Sequence, residues 1–192
     1  MRDVGNLPLV PFFGLYKDGN IASNELLILT IMTTIQELYQ SELEITDLFE
    51  RFCSTTLEKE KWTHAAHLTG GLCFLKQYDK YEATCRMKSS IIAFNLSVGG
   101  ENTGSGGYHE TLTIFWLEVL HFYVTEHPEY SLLELCNRFL QSPLADKKLP
   151  FYFYDRDVLM SAFYRSRFVT PDKQALSDDV LRNYLVSVFR VR

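Results

Sequence analysis

Trp62-Thr63-His64-Ala65-Ala66-His67-Leu68, running on to Lys76, reads as a helix from its first residues. Thr63 is a good N-cap, because its hydroxyl can accept an unpaired amide of the first turn. His64 then takes the first helical position and His67 the fourth. Trp62 stands just ahead of the cap, where an apolar side chain often packs on that fourth residue. The same grammar repeats outward in both directions. Ser23 precedes Glu25-Leu26-Leu27, and apolar residues recur at Leu27, Ile31, Ile35, Leu38 and Tyr39, close to a 3.6-residue period. Thr46 is placed to cap a short helix carrying Leu48, Phe49 and Phe52. Asp79 with Glu82 makes a capping-box-like start for Ala83, Met87, Ile91 and Phe94. A helix from Tyr108 to about Glu126 is stopped by Pro128. Ser131 and Glu134 form a capping box ahead of Leu132, Leu135, Cys136, Phe139 and Leu140. A short helix near Asp155 to Phe163 follows. Ser177 caps a last one, with Asp178 and Asp179 favouring its positive end.

Strand signals are sparse. Val98-Gly99 and Phe151-Tyr152-Phe153-Tyr154 are the weak candidates, and the second is equally an extended aromatic plug. The expected fold is therefore all-α, a single compact bundle of six to eight helices with a glycine-rich loop at its site. Residues 1–42 read as an N-terminal helical extension packed on the core, and residues 43–192 as the helical core domain.

The chain has 192 residues, is 46% hydrophobic and carries a net charge of −5. That is ordinary globular material with enough length to bury about 70% of its unfolded surface. An acidic balance argues against general nucleic-acid binding, which needs a basic excess to displace phosphate counterions. No secretory signal is readable at Met1-Arg2-Asp3-Val4-Gly5. The longest apolar stretch, Leu26 to Ile35, is interrupted by threonines and too short to span a bilayer. Cys53, Cys73, Cys85 and Cys136 include no Cys-x-x-Cys pair and read as small hydrophobes in a reducing cytoplasm. The expectation is a cytoplasmic protein with no membrane and no nucleic-acid partner. Its oligomeric state is left open.

Chemistry gathers at two helix starts. His64 and His67 share one helical face. Gly107-Tyr108-His109-Glu110-Thr111 places His109 and Glu110 in a first turn. The positive end of a helix disfavours imidazolium, so these histidines lean towards the neutral form that a metal ligand needs. His64, His67 and His109 are candidate ligands for one divalent transition metal: zinc, iron or manganese. Glu110 and His109 are the candidate catalytic pair, with Glu110 as general base or as a further ligand. Equally, the histidines and Glu110 can be structural, answering opposing loops and the helix dipole.

Half of the ten glycines lie between Gly99 and Gly107. With Asn95, Asn102, Thr103 and Ser105 they form a small-residue loop feeding a helix, which suits a bound carboxylate or phosphate. A plain connector and a mobile lid are the other readings. Asn102, Thr103, Tyr108 and Thr111 are candidate ligand-positioning residues, and Trp62 a candidate wall. Arg165 and Arg167 offer guanidinium forks for an anion. The other reading pairs them with Asp155, Asp157 or Asp172.

On these residues the chain resembles a family of small, uncharacterised bacterial all-helical proteins. That family carries a Trp-Thr/Asn-His-x-x-His-Leu segment and an Asn-Thr-x-x-x-Gly-Tyr-His-Glu-Thr segment. Here these are Trp62 to Leu68, and Asn102, Thr103, Gly107, Tyr108, His109, Glu110 and Thr111. A tail of Ser161, Arg165 or Arg167, Pro171, Asp172 and Leu176 follows the family's Ser-x-x-Ala-Arg…Pro-Asp…Leu pattern without its adjacent Ala-Arg pair. The likeness spans roughly residues 43–176. It supports the choice of site and implies no reaction. The first functional expectation is a metal-dependent enzyme acting on a small molecule in a histidine-rich polar pocket. The alternatives are a non-catalytic module for a small anionic molecule, and a helical interaction domain whose histidines are purely structural.

Overall fold

The structure is a computed structural model and describes residues 39–190. Among these residues there are nine α-helical segments and no strand. Six are long: α1 (Glu42–Cys53), α2 (His64–Gln77), α3 (Lys80–Ser97), α4 (Glu110–Glu126), α5 (Leu132–Gln141) and α9 (Asp178–Arg190). Three are single turns: α6 (Pro150–Phe153), α7 (Arg156–Leu159) and α8 (Ala162–Ser166). The all-α bundle expected from the sequence is what the described residues form. The predicted helix after Ser23, and residues 1–38 of the predicted extension, lie outside the described residues. Tyr39 already belongs to the bundle, exchanging bonds with Asn137 at 3.0 and 2.8 Å. Among the described residues no helix is long and apolar enough to cross a membrane.

Helix α2 is the axis. It packs against α1, α3, α4 and α5, and from Leu68 to Leu75 every residue is buried. A helix that is apolar all round belongs in a core. Gly71 sets its closest approach, because a Cβ there would lie 2.5 Å from Leu120 Cδ1 on α4.

Local capping chooses most helix starts. Thr63 accepts the Ala66 amide at 3.3 Å, and Ser131 and Glu134 complete a reciprocal capping box. Asp79 takes the amides of Tyr81 and Glu82, while the Glu82 side chain turns instead to Arg86. Ser177 accepts the Val180 amide at 3.4 Å.

Three expectations are corrected. Ser41, not Thr46, caps α1, and the Thr46 hydroxyl donates back to Glu42 O within the helix. The Phe151–Tyr154 stretch is neither strand nor extended plug. Its first three residues close a helical turn behind Pro150, which buries Phe153 and Tyr154 completely. The single helix expected near Asp155 to Phe163 is split into α7 and α8 at Met160 and Ser161.

Candidate functional site

A cavity of about 400 Å³ opens between α2, α3 and α4, with Arg165 of α8 on its rim. That is within the range of small-molecule sites. One face of each helix supplies the wall. Helix α4 contributes Leu112, Thr113, Trp116, Leu117 and Leu120, spaced to share a stripe. Helix α3 adds Met87 and Ile91, and α2 adds His64, His67 and Leu68. Gly107, Tyr108, His109 and Arg165 complete the lining, and no carboxylate is among the lining residues.

The three predicted histidines converge on this cavity, each anchored to a backbone carbonyl. His64 Nε2 donates to Ala145 O at 3.0 Å, and His67 Nδ1 donates to Thr63 O at 2.8 Å. A carbonyl can only accept, so His64 Nδ1 and His67 Nε2 are lone-pair acceptors in the neutral rings. Neither has a protein partner among the described residues. Burial holds the His64 ring below its ordinary pKa, although the Ala145 bond opposes the shift. Burial pushes His67 down to about 4, with His64 adding a smaller push. Trp62 stands behind His67 with ring centroids 3.9 Å apart, and stacks on Phe52 on its other side. It is the predicted staple and braces the wall without lining it.

His109 differs from the expectation by one position. It is the N-cap of α4, not part of the first turn. Its Nδ1 accepts the Leu112 amide at 3.2 Å and its Nε2 donates to Leu159 O at 3.0 Å. Both ring nitrogens are thus engaged, and His109 is 7% exposed. Burial lowers its pKa first, with the positive charge of Arg165 contributing.

The donor set does not suit the three-histidine metal site. His109 offers no free nitrogen, and among the described residues no group of three or more His, Cys, Asp or Glu side chains could hold an ion. Charge argues the same way: two helix starts and a guanidinium meet at the cavity, where a cation is disfavoured. Glu110 does not serve as a free base either. Its two oxygens are taken by Lys88 of α3 and by the Tyr108 hydroxyl, and it lies outside the lining. Burial, followed by that carboxylate, pushes the Tyr108 phenol up.

The remaining predicted residues divide sharply. Thr111 is fully buried and pins the chain beyond α8, donating to Arg167 O and accepting the Val169 amide. Asn102 Oδ1 accepts from Asn95 Nδ2 and the Tyr108 amide. Thr103 Oγ1 accepts the Ser105 and Gly106 amides. Both therefore shape the loop and do not line the cavity. Gly99 and Gly100 end α3 in a Schellman turn, with Gly99 at φ +75° and bonds to Leu96 O and Asn95 O. The amides of Gly99, Gly100, Thr103, Ser105, Gly106 and Tyr108 are bonded within the loop or to the end of α3, so these six are not turned to the anion cradle expected there. Only Gly107 of the five clustered glycines reaches the cavity.

Arg165 does reach it. Its Nη1 donates to Gly107 O at 3.0 Å and Tyr108 O at 3.3 Å. Its Nε is buried without a partner, and among the described residues no carboxylate pairs with it. Of the expected aspartate partners, Asp155 caps α7 and Asp172 accepts the Asp155 amide, and neither these nor Asp157 forms an ion pair with Arg165 or Arg167. Arg167 instead lies over the Phe163 ring, 4.3 Å from its centroid. The sequence reading missed the apolar wall of Leu112, Trp116 and Leu120, whose signal was their i, i+4, i+8 spacing. Family models, curated proteins and solved structures provide no match to this chain.

Proposed function

We propose that this protein binds a small anionic molecule with an apolar body in the cavity between α2, α3 and α4. The observation that carries the reading is Arg165, a cavity-lining guanidinium with carbonyl partners and no carboxylate. An unpaired charge beside an apolar wall favours an anion from outside over any group the cavity itself supplies. The starts of α2 and α4 add positive potential at the same place. Trp116 and the leucines of α4 take the apolar body. The reading is of a binding module: the cavity lining includes no carboxylate, serine or cysteine, and the neutral histidines act as acceptors. The four free cysteines accord with a reducing cytoplasm. The resemblance to the family of small all-helical proteins gains support from its two histidine segments, which both line one cavity.

The test is calorimetric titration of the full chain with 3-phenylpropanoate and with a neutral counterpart that has no hydrogen-bond donor, methyl 3-phenylpropanoate. The carboxylate is expected to bind the tighter, by about tenfold or more. Arg165→Gln removes that preference, and Leu112→Trp, which fills the cavity, removes both interactions. Equal affinity for acid and ester overturns the anion reading. Stoichiometric zinc bound through His64 and His67, lost in either alanine variant, restores the metal-dependent one.

A further inference from the structure

Two ring nitrogens without protein partners, on residues that line the cavity, narrow the ligand further. His64 Nδ1 and His67 Nε2 lie three residues apart on one face of α2, and both residues line the cavity. Each ring is tied through its other nitrogen to a carbonyl, at 3.0 and 2.8 Å, so neither can offer that N–H to a ligand without losing the bond. An acceptor without a protein partner depends on solvent for its bond. An apolar ligand that displaces the water without replacing its bonds leaves two acceptors unpaired, which is costly in a dry site. A fitting ligand therefore brings donors of its own.

Two donor types are available in small metabolites, a hydroxyl and an ammonium. Charge separates them. The histidines open α2, whose first-turn amides carry partial positive charge, and Arg165 sits on the same cavity. An ammonium would be placed against both. A hydroxyl brings the donor without the charge.

Resting on the anion-binding reading, we infer that the ligand is a hydroxylated carboxylic acid with an apolar body. Its carboxylate meets Arg165, its hydroxyl donates to His64 or His67, and its hydrocarbon part lies on Trp116. His64 and His67 are on this view the specificity-determining residues, and Arg165 the anchor. One ring is enough for a monohydroxy acid, and a diol or catechol acid uses both.

The probes are 3-phenylpropanoate, 3-phenyllactate, 3-(4-hydroxyphenyl)propanoate, 3-(3,4-dihydroxyphenyl)propanoate and phenylalanine, titrated into the full chain at pH 7.5. At least one hydroxylated acid is expected to bind about tenfold tighter than the parent acid, and phenylalanine more weakly than 3-phenyllactate. His67→Phe and His64→Met are each measured as the ratio of hydroxylated to parent affinity, which is expected to fall towards one in at least one variant. Thermal unfolding checks that each variant is folded, and the second variant serves if the first is not. A parent acid that binds as tightly as every hydroxylated one overturns the inference and leaves the anion reading standing. So does a ratio that survives in both variants. Failure of all five acids to bind overturns both.

Discussion

His109 shows how one side chain can be chemically suggestive and mechanically committed at once. Its Nδ1 caps α4 through the Leu112 amide, and its Nε2 holds the last carbonyl of α7, Leu159 O. Losing an N-cap costs about 1 kcal/mol, and leaving a buried carbonyl unpaired adds a further penalty of about 1–3 kcal/mol. His109→Ala is therefore expected to lower unfolding free energy by about 2–4 kcal/mol, read from urea denaturation. His109→Asn restores a good cap but does not reach Leu159, so it is expected to recover part of that loss. An asparagine variant as unstable as alanine would show that the cap contributes little and the Leu159 bond nearly everything. The bond to Leu159 was beyond sequence reading, because it joins residues 50 apart. The same holds for Arg165, whose carbonyl partners at Gly107 and Tyr108 are 58 and 57 residues away.

Helix ends are where the chain was most legible, because capping is a local transaction between a side chain and amides two or three residues on. Thr63, Asp79, Ser131 and Ser177 all cap as their sequence neighbourhoods indicate. Thr46 misled, since a threonine hydroxyl can also bond back to the carbonyl one turn earlier and sit inside a helix. The turn at Pro150 was misread for a different reason: burial of Phe153 and Tyr154, a tertiary gain, selects the helical conformation. The clustered glycines separate into two jobs that composition alone merges. Gly99 has φ +75° and open space where a Cβ would be, so Gly99→Ala is expected to cost about 1 kcal/mol from backbone strain alone. Gly107 has φ +72° and would set a Cβ 2.7 Å from Asn102 Oδ1 and Asn95 Nδ2, against the bonds that shape the loop. Gly107→Ala is expected to cost at least about 2 kcal/mol and to weaken binding of the 3-phenylpropanoate probe, since the shift passes to Tyr108 and Arg165. Comparable losses from the two substitutions, measured by urea denaturation, would refute that division.

Across the whole molecule, the cavity's neutral histidines tie stability to pH. His64, His67 and His109 all have folded pKa values held below the ordinary 6.5, chiefly by burial, and His67 reaches about 4. The unfolded chain protonates these rings near 6.5 and the folded chain does not, so the unfolded state binds more protons as pH falls. Stability from this source is full above about pH 6.5 and is lost as pH drops towards 4. The slope reaches up to about 1.4 kcal/mol per pH unit for each histidine involved. Carboxylates act in a lower window. Glu58 is held down to about 2 by Arg51, and Glu126 and Glu134 are also lowered, by Arg182 and by the Ser131 amide. Their contributions are present above their ordinary value of 4.5 and fade below it. The groups lining the cavity with His67 are His64, His109, Tyr108 and Arg165, and none is a carboxylate that would stabilise an imidazolium. Urea unfolding of the wild-type chain is therefore expected to show declining stability between pH 6.5 and 4.5, before the carboxylates titrate. His67→Leu removes one of the three depressed rings and is expected to flatten that decline by about one proton's worth. A wild-type profile that stays level from pH 7 to 4.5, or a variant with an unchanged slope, would mean that His67 takes up its proton in the folded cavity as readily as in water.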